Sequence, residues 1–219
     1  MPTDTSTSPA HLEARWAEIM PDQPAIGADL IRRYGEPHRR YHTTEHLRHV
    51  LTMIDELADD SHDTFLVRLA AWFHDAVYAI PPGQIGNEEA SARLALRELA
   101  RTGLEQEDLT QVARLVRLTE THLPGPRDPD GELLCDADLA ILAAEPDAYE
   151  RYVDQIRAEY AVVPEEQFLA GRLEVLTELA GRDLFRTSKG RRLTAAARRN
   201  LETEMAALIE RLGMEGSIP

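Results

Sequence analysis

The sequence predicts an all-α fold, a single helical bundle of about eight to ten helices. Apolar residues recur at helical spacing along most of the chain, whereas runs with the alternating pattern of a strand are scarce. We find no internal repeat, and no segment has the composition of a linker between domains. We therefore expect one helical domain over residues 11–215, preceded by a polar, frayed tail over residues 1–10.

Ten helices account for most of the apolar periodicity. Their predicted ranges are 10–20, 25–35, 43–58, 62–79, 87–102, 106–121, 132–144, 146–161, 164–181 and 191–212. Proline suits the first turn of a helix, which supports starts near Pro146 and Pro164. We expect Asn87 to cap the helix that begins beside it, and Gly103 and Gly213 to end helices.

Two segments rich in proline and glycine interrupt the helical pattern. They cover residues 81–83 and 123–131. The second segment is long enough to form a lid or the rim of a pocket.

Charge and cysteine content narrow the functions that the chain can have. A net charge of −15 argues against binding duplex nucleic acid through a broad basic face, although a few local arginines can still hold a small phosphate. The single cysteine, Cys135, cannot form an internal disulfide, which is typical of the reducing cytoplasm. The polar start lacks the features of a signal peptide, and no stretch approaches the ~20 apolar residues of a membrane span. We expect a cytoplasmic protein without a membrane partner.

The most unusual feature is an acidic residue inside an apolar run. Residues 69–80 are nearly all apolar, yet they include His74 and Asp75. A helix that is apolar on every side is buried, and an unpaired carboxylate there is costly or remains protonated. The adjacent imidazole suggests that a metal ion compensates the charge of Asp75.

A second apolar run, residues 133–142, repeats the pattern with Asp136 and Asp138. On a helix, each of these aspartates shares a face with leucine or isoleucine side chains. Two buried acidic sites in one small domain are explained together if one cation lies between them.

Histidines are concentrated in one short segment. His42, His46 and His49 have the spacing that lines one helix face, provided that the helix already includes His42. If Thr43 or Thr44 caps the helix instead, His42 lies just outside it. Imidazole is a good ligand for zinc, iron, manganese or nickel, so this segment is a second source of metal ligands.

The order of these residues resembles the HD superfamily of metal-dependent phosphohydrolases. The stretches that carry the resemblance are residues 41–46 (YHTTEH), 71–78 (AWFHDAVY), 87–92 (NEEASA) and 136–139 (DADL). The chain is most similar to a small bacterial group of predicted HD phosphohydrolases. The likeness runs from about Trp16 to Leu212.

The resemblance implies that His46, His74, Asp75 and Asp138 bind a divalent cation, which could be Mn, Zn, Fe, Ni, Co or Mg. Asp138 is preferred over Asp136 because the family ligand directly precedes a short apolar helical segment.

Residues 41–46 are also similar to a segment of cyclic-nucleotide phosphodiesterases, which share the HD architecture. There the first histidine is a general acid and the second binds metal. Carried over, His42 becomes the candidate acid and His46 the ligand, with His122 as the alternative acid. The rest of the phosphodiesterase pattern is missing, so cyclic nucleotides are not inferred as substrates.

Some HD proteins hold a second metal through additional ligands. His122, with Glu88 or Glu89, is a candidate for that role here, although one metal fits the sequence better. We expect Asn87 and Asp136 to orient ligands or to join a second metal.

The expected activity is hydrolysis of a small phosphorylated substrate, a phosphomonoester or phosphodiester such as a nucleotide, by attack of metal-bound hydroxide. Arg39, Arg157 and Arg186 are candidates for binding the phosphate. Two alternatives stay open: a diiron HD oxygenase, which needs more protein ligands than the sequence offers, and a non-catalytic protein that binds a metal or ligand. A homodimer through the apolar seam of the 191–212 helix is a further expectation, although most such seams pack on their own core.

Overall fold

The computed structural model describes residues 9–213, and all regular secondary structure in that range is helical. The predicted all-α fold is therefore confirmed. The α-helices are α1 (Pro9–Ile19), α2 (Pro24–Tyr34), α3 (Thr44–Leu57), α4 (Thr64–Phe73), α5 (Asn87–Leu99), α6 (Gln106–Leu118), α7 (Pro129–Asp138), α8 (Pro146–Glu159), α9 (Glu165–Ala180) and α10 (Thr194–Arg211), with 3₁₀ segments at Leu139–Ala143 and Gly190–Leu193.

The tail predicted over residues 1–10 overlaps the first turn of α1. Helix α1 begins at Pro9, and residues 1–8 lie outside the described residues. No helix of the described range is long and apolar enough to cross a membrane.

Two hydrophobic cores organise the helices. The first is formed by α1–α7 around α4, whose side chains from Val67 to Phe73, apart from Arg68, are all buried. Within this core the indoles of Trp16 and Trp72 meet edge to face, with ring centroids 5.1 Å apart. The second core joins α8, α9 and α10 to the 3₁₀ segment that follows α7. Leu193 contacts both cores.

Helix α4 is shorter than predicted. It ends at Phe73 instead of residue 79, and His74 and Asp75 lie in the turn that follows. The amide of Ala76 closes this turn by donating to the carbonyl of Phe73 over 3.0 Å. Ala76 is fully buried although it is not helical, so the apolar run continued past the end of the helix and concealed it.

Helix starts and stops were predicted with mixed success. Gly213 directly follows the C-cap of α10 with a φ of 66°, the left-handed conformation that glycine adopts without strain. Gly103 has a φ of 86° but does not end α5, which ends at Leu99 with Ala100 as its C-cap. Asn87 is not the N-cap of α5, because Gly86 holds that position and Asn87 is already helical. Helix α7 begins at Pro129, earlier than predicted, because the side chain of Asp128 accepts a hydrogen bond from the amide of Gly131 over 3.1 Å.

The apolar seam of α10 is buried inside the chain. Ala197, Leu201, Met205 and Leu208 all belong to the second core. A homodimer through this seam, one of the expectations from the sequence, would require these residues to leave that core, so the fold argues against it.

Gly27 on α2 is a test of the contact between α1 and α2. A Cβ atom at Gly27 would overlap the indole of Trp16, which is 2% exposed and donates from Nε1 to the carbonyl of Gln23 over 2.7 Å. We expect Gly27→Ala to lower the free energy of unfolding by about 1–3 kcal/mol. The matched control is Gly171→Ala on α9, where a Cβ meets nothing within 4 Å, and there we expect a gain of about 0.5–1 kcal/mol. Urea denaturation measures both, and a Gly27→Ala variant as stable as wild type would contradict the packing.

Candidate metal centre

Four predicted ligands converge at the place where α3, α4 and α7 meet. His46 lies in the first turn of α3, His74 and Asp75 lie in the turn after α4, and Asp138 is the last residue of α7. His46 Nε2 lies 3.1 Å from His74 Nε2, 3.4 Å from Asp75 Oδ2 and 3.1 Å from Asp138 Oδ1. His74 Nε2 lies 3.1 Å from Asp75 Oδ2 and 3.6 Å from Asp138 Oδ1.

These spacings are those of atoms that share one ion. Two ligands bound at about 2.1 Å lie about 3.0 Å apart in octahedral and about 3.4 Å apart in tetrahedral coordination. The ligand atoms of His46, His74 and Asp75 all lie within 4.8 Å of one another, and Asp138 contacts both imidazoles. The residues therefore fit a divalent cation.

The imidazole of His74 is oriented as a ligand. Its Nδ1 lies 2.7 Å from the carbonyl oxygen of Ala71, which places the proton on Nδ1 and leaves the Nε2 lone pair for the cluster. The hydroxyl of Tyr34 accepts a hydrogen bond from the amide of Asp75 over 3.2 Å and so holds the turn that carries both residues. The fold thus sets the direction of the Nε2 lone pair.

No arginine or lysine of the described range forms an ion pair with Asp75 or Asp138, and histidines are the partners of both carboxylates. Burial lowers the pKa of His46 and His74, but the facing carboxylates outweigh burial and raise both, His74 well above its ordinary value. Burial raises the pKa of the two aspartates, and the imidazoles outweigh that effect and hold both values well below the usual range. These pKa shifts show that the four side chains favour a positive charge at the centre of the cluster.

His42 lies outside α3, which Thr43 caps, yet it faces the same space. Its Nδ1 lies 2.7 Å from Oε2 of Glu159, whose side chain is 1% exposed. The other oxygen of Glu159 accepts hydrogen bonds from the amides of Arg40, Tyr41 and His42 at 2.7–2.9 Å. Burial raises the pKa of Glu159, but the bonds from His42 and the amides outweigh burial and bring it to about 2. One carboxylate therefore fixes both the loop and the imidazole.

His122 follows α6 and contacts the cluster through Asp138. Its Nε2 lies 2.8 Å from Asp138 Oδ2, the oxygen that does not face His46. Its φ of 52° is in the left-handed region, which a non-glycine residue adopts only when its surroundings hold it there. The contact with Asp138 suits a residue that orients this carboxylate.

A cavity of about 700 Å³ opens onto the cluster between the two cores. His42, His46, Asp75, His122 and Asp138 line its polar end. The remaining wall combines apolar side chains with polar ones such as Glu120, Glu178 and Arg182. Its apolar part includes Leu142, Tyr152, Ile156, Phe168 and Leu179 of the second core, together with Val175. The space is ample for a small organic molecule.

The arginines predicted to bind phosphate form hydrogen bonds with other groups of the protein. All five N–H groups of Arg39 have partners, since Nε and Nη2 donate to Glu36, Nη1 to the carbonyls of His42 and Asp75, and Nη2 also to that of Ala76. Its side chain is 0% exposed. The prediction that Arg39 binds phosphate is therefore wrong, because its guanidinium is fully bonded to Glu36 and to the backbone behind the site.

Arg157 and Arg186 do not line the cavity either. Arg157 donates to Glu165 and to the carbonyls of Tyr160 and Val163, and so holds the chain that follows α8. Arg186 donates from Nη1 to the carbonyl of Pro124. The arginines that do line the cavity are Arg172 and Arg182, which the sequence analysis did not select.

The residues proposed as supporting or second-metal ligands are dispersed. Asp136 is 1% exposed and accepts hydrogen bonds from the amides of Arg186 and Thr187 and from the Thr187 hydroxyl, so it anchors the segment before α10. Glu89 pairs with Arg93 and Arg117 away from the cavity.

Asn87 and Glu88 both lie on the cavity wall. The side-chain amide of Asn87 exchanges two hydrogen bonds with the backbone of Ala79 and so ties α5 to the loop after the metal cluster. Glu88 is the carboxylate of this group that remains directed at the cavity.

The carboxylates of the cluster should decide metal content. We expect Asp75→Asn and Asp138→Asn each to lose most of the bound divalent metal, because each removes one of the two negative charges that face the cation. Asp183→Asn, at an exposed position, is the control. Elemental analysis of protein purified without added metal measures the effect. Full metal content in either cluster variant would show that the ligand assignment is wrong.

Glu159 should contribute to stability in a pH-dependent way. Its folded-state pKa of about 2 lies below the ordinary 4.5, so its contribution is present above about pH 4.5 and is lost as the pH falls towards 2. We expect Glu159→Gln to be less stable than wild type near pH 6, by roughly 3 kcal/mol at most, and the gap to narrow steadily towards pH 3. Urea denaturation of both proteins with a chelator present measures it. A gap that stays constant with pH would contradict the assignment.

Comparison with known families agrees with the geometry. The family model described as HD domain matches residues 43–155, which is half of the chain and includes all four ligands of the cluster. No curated protein and no solved structure matches the chain. The chain belongs to the HD domain family, whose members are for the most part metal-dependent phosphohydrolases.

Proposed function

We propose that the protein is a metal-dependent phosphohydrolase that acts on a small phosphorylated substrate. The observation that carries the proposal is that one cavity is lined both by His46, Asp75 and Asp138 of the metal cluster and by His42, which Glu159 orients. One group can hold a cation against a phosphoryl oxygen, and the other can deliver a proton to the oxygen that leaves.

The cation would be held by two imidazole nitrogens and two carboxylate oxygens. When bound, it supplies a Lewis acid for the phosphoryl group and lowers the pKa of a coordinated water. Imidazole ligands favour manganese, iron, cobalt, nickel or zinc over magnesium, which prefers oxygen ligands and retains its waters. We therefore expect a transition metal in the native protein.

His42 is the better candidate for the proton donor. Glu159 holds its Nδ1, so Nε2 is the nitrogen directed away from the carboxylate and available to the cavity. The ring of Tyr78 stacks on His42 with centroids 4.2 Å apart and restricts the ring to this orientation. His122 is engaged by Asp138, which favours a role in orienting that ligand.

Neutralisation of the phosphoryl charge would depend on the cation and on the two arginines of the cavity wall. Arg182 donates to the carbonyl of Thr121 and lies near Glu178, while Arg172 is paired with Glu204. Because both arginines are already partnered, the cation must provide most of the positive charge. This favours phosphomonoesters of modest charge over polyphosphates.

A diiron oxygenase is less well supported. Within the described range the four ligands of the cluster are joined by His122, which contacts Asp138, and by Glu88 on the cavity wall. No observation places these two residues around a second ion.

Replacement of His42 should separate catalysis from metal binding. We expect His42→Gln to lower kcat by about 10²–10⁴-fold, because a positioned acid contributes that much, while the metal content stays at the wild-type level. The measurement is hydrolysis of a panel of nucleotides, sugar phosphates and 4-nitrophenyl phosphate by metal-loaded protein.

His62→Gln is the matched control, since His62 pairs with Asp59 and is not among the residues that line the cavity. Wild-type rates in the His42 variant would show that another group donates the proton. A wild-type protein that is inactive on the whole panel with every candidate metal would contradict the proposed function.

A further inference from the structure

The hydroxyl of Tyr41 is buried and has no hydrogen-bond partner. Within residues 9–213 it is one of few buried polar side-chain atoms in this condition, and it belongs to a residue that lines the cavity. A buried hydroxyl without an acceptor costs free energy, so such groups are rare unless a water or ligand supplies the acceptor. The Tyr41 hydroxyl is therefore a buried donor without an acceptor, on a residue of the cavity wall.

The fold holds this hydroxyl in place. The ring of Tyr41 lies between that of His46, at 4.8 Å, and that of Tyr152, at 4.7 Å between centroids. Its amide donates to Glu159 over 2.9 Å. These contacts hold the ring of Tyr41 between His46 of the metal cluster and Tyr152 of α8.

Arg172 provides a second donor on that side. Its guanidinium donates to Glu204 through Nε and Nη2, at 2.8 and 3.1 Å, and to the Tyr152 hydroxyl through Nη1 at 3.0 Å. A guanidinium has five N–H groups, so two are left over, and Arg172 lines the cavity with its side chain 10% exposed. The ring of Tyr152 contacts the ring of Tyr41 and the guanidinium of Arg172.

The electrostatics favour an uncharged acceptor at these donors. Glu204 balances the charge of Arg172, and the carboxylates of Glu88, Glu120 and Glu178, which line the same cavity outside the metal cluster, disfavour a further anion. A phosphate or carboxylate would lack a counter-charge here, whereas a carbonyl or hydroxyl oxygen needs only the donors.

The adjoining wall is apolar. Ile156, Phe168, Val175 and Leu179 line it, and Val175 is 49% exposed, which is high for an aliphatic side chain. An apolar ligand surface laid against this wall would remove it from water.

We propose that Tyr41 determines specificity: its hydroxyl, supported by Arg172, binds a neutral oxygen acceptor on the organic part of a phosphomonoester whose apolar body lies against α8 and α9. This inference rests on the proposed function, which places the phosphoryl group at the metal cluster. It assigns the substrate to phosphorylated compounds with an apolar or aromatic body and one uncharged oxygen acceptor.

The test compares matched phosphonates that cannot be hydrolysed. Calorimetry with manganese-loaded protein measures binding of inorganic phosphate, of 2-, 3- and 4-acetylphenylphosphonate, and of the corresponding ethylphenylphosphonates. The acetyl and ethyl groups are similar in size, and only the acetyl group carries an acceptor. In wild type we expect at least one acetyl isomer to bind about five- to tenfold more tightly than its ethyl counterpart. Tyr41→Phe should abolish that preference and leave the affinity for inorganic phosphate unchanged.

Thermal unfolding separates recognition from a structural role. An unpartnered hydroxyl contributes nothing to the unliganded fold, so Tyr41→Phe should be at least as stable as wild type. Tyr149→Phe provides the contrast, because the Tyr149 hydroxyl donates to Glu204 over 2.5 Å and its loss should lower the melting temperature.

Each result that contradicts the inference leads to a different conclusion. If no acetyl isomer is preferred, or if Tyr41→Phe keeps the preference, the inference is wrong while phosphate binding still supports the proposed function. A Tyr41→Phe variant that binds inorganic phosphate more weakly would place the hydroxyl on the phosphoryl group and overturn the inference. A loss of stability in Tyr41→Phe would assign the hydroxyl a structural role and overturn it too. If wild type does not bind inorganic phosphate at all, the proposed function fails together with the inference.

Discussion

The rest of this structure depends on four candidate ligand atoms that lie close together in an apolar interior. His46 Nε2, His74 Nε2 and the carboxylates of Asp75 and Asp138 lie 3.1–3.6 Å from their neighbours, and no arginine or lysine of the described range pairs with the carboxylates. Lone pairs so close repel each other unless positive charge lies among them. Burying the carboxylates would otherwise cost several kcal/mol each. The three segments that meet here are therefore joined by a shared requirement for a cation.

The burial of α4 restricts the turn that carries two of these ligands. Apart from Arg68, every residue of the helix from Leu66 to Phe73 is buried, so the turn with His74 and Asp75 follows directly from a tightly packed segment. Tyr34 and Arg39 secure the same turn from behind, through the amide of Asp75 and through its carbonyl at 2.8 Å. A rigid turn keeps the ligand atoms at distances that suit an ion, which is what a site needs to bind before its substrate arrives.

Each of the two cores contributes a different part of the cavity. The first core supplies the cluster, and the second supplies the Glu159 that orients His42 and the apolar wall beside Arg172. A cavity between two packed units is a common place for a ligand, because each unit can be rigid while the space between them stays open. Under the proposed function, chemistry and recognition would depend on different parts of one chain that line the same cavity of about 700 Å³.

The features that the sequence could predict are those whose pattern lies within a short stretch of residues. Helical periodicity and the anomaly of acids in apolar runs are local, and they led to the all-α fold and to the cluster. The end of α4 was missed because Ala76 is as buried in a turn as it would be in a helix, so apolar character could not distinguish the two. Glu159 was missed because nothing near it in the sequence refers to His42, which is 117 positions away. Arg39 was misjudged because three of its five hydrogen bonds go to backbone carbonyls, which no sequence pattern displays.

The two candidate proton donors are distinguished by the kind of partner that each one has. Glu159 sits behind His42 and touches none of the four ligands, so its bond leaves the outer nitrogen of His42 for the cavity. The bond of His122 ends on Asp138, and the two oxygens of that carboxylate face different neighbours, Oδ1 towards His46 and Oδ2 towards His122. A proton given up by His122 would weaken a bond that orients a ligand, whereas a proton given up by His42 leaves the cluster as it was. The different partners of the two Asp138 oxygens therefore favour His42 as the acid. They also suggest why the backbone of His122 is left-handed, since this conformation accompanies the contact of its side chain with Asp138.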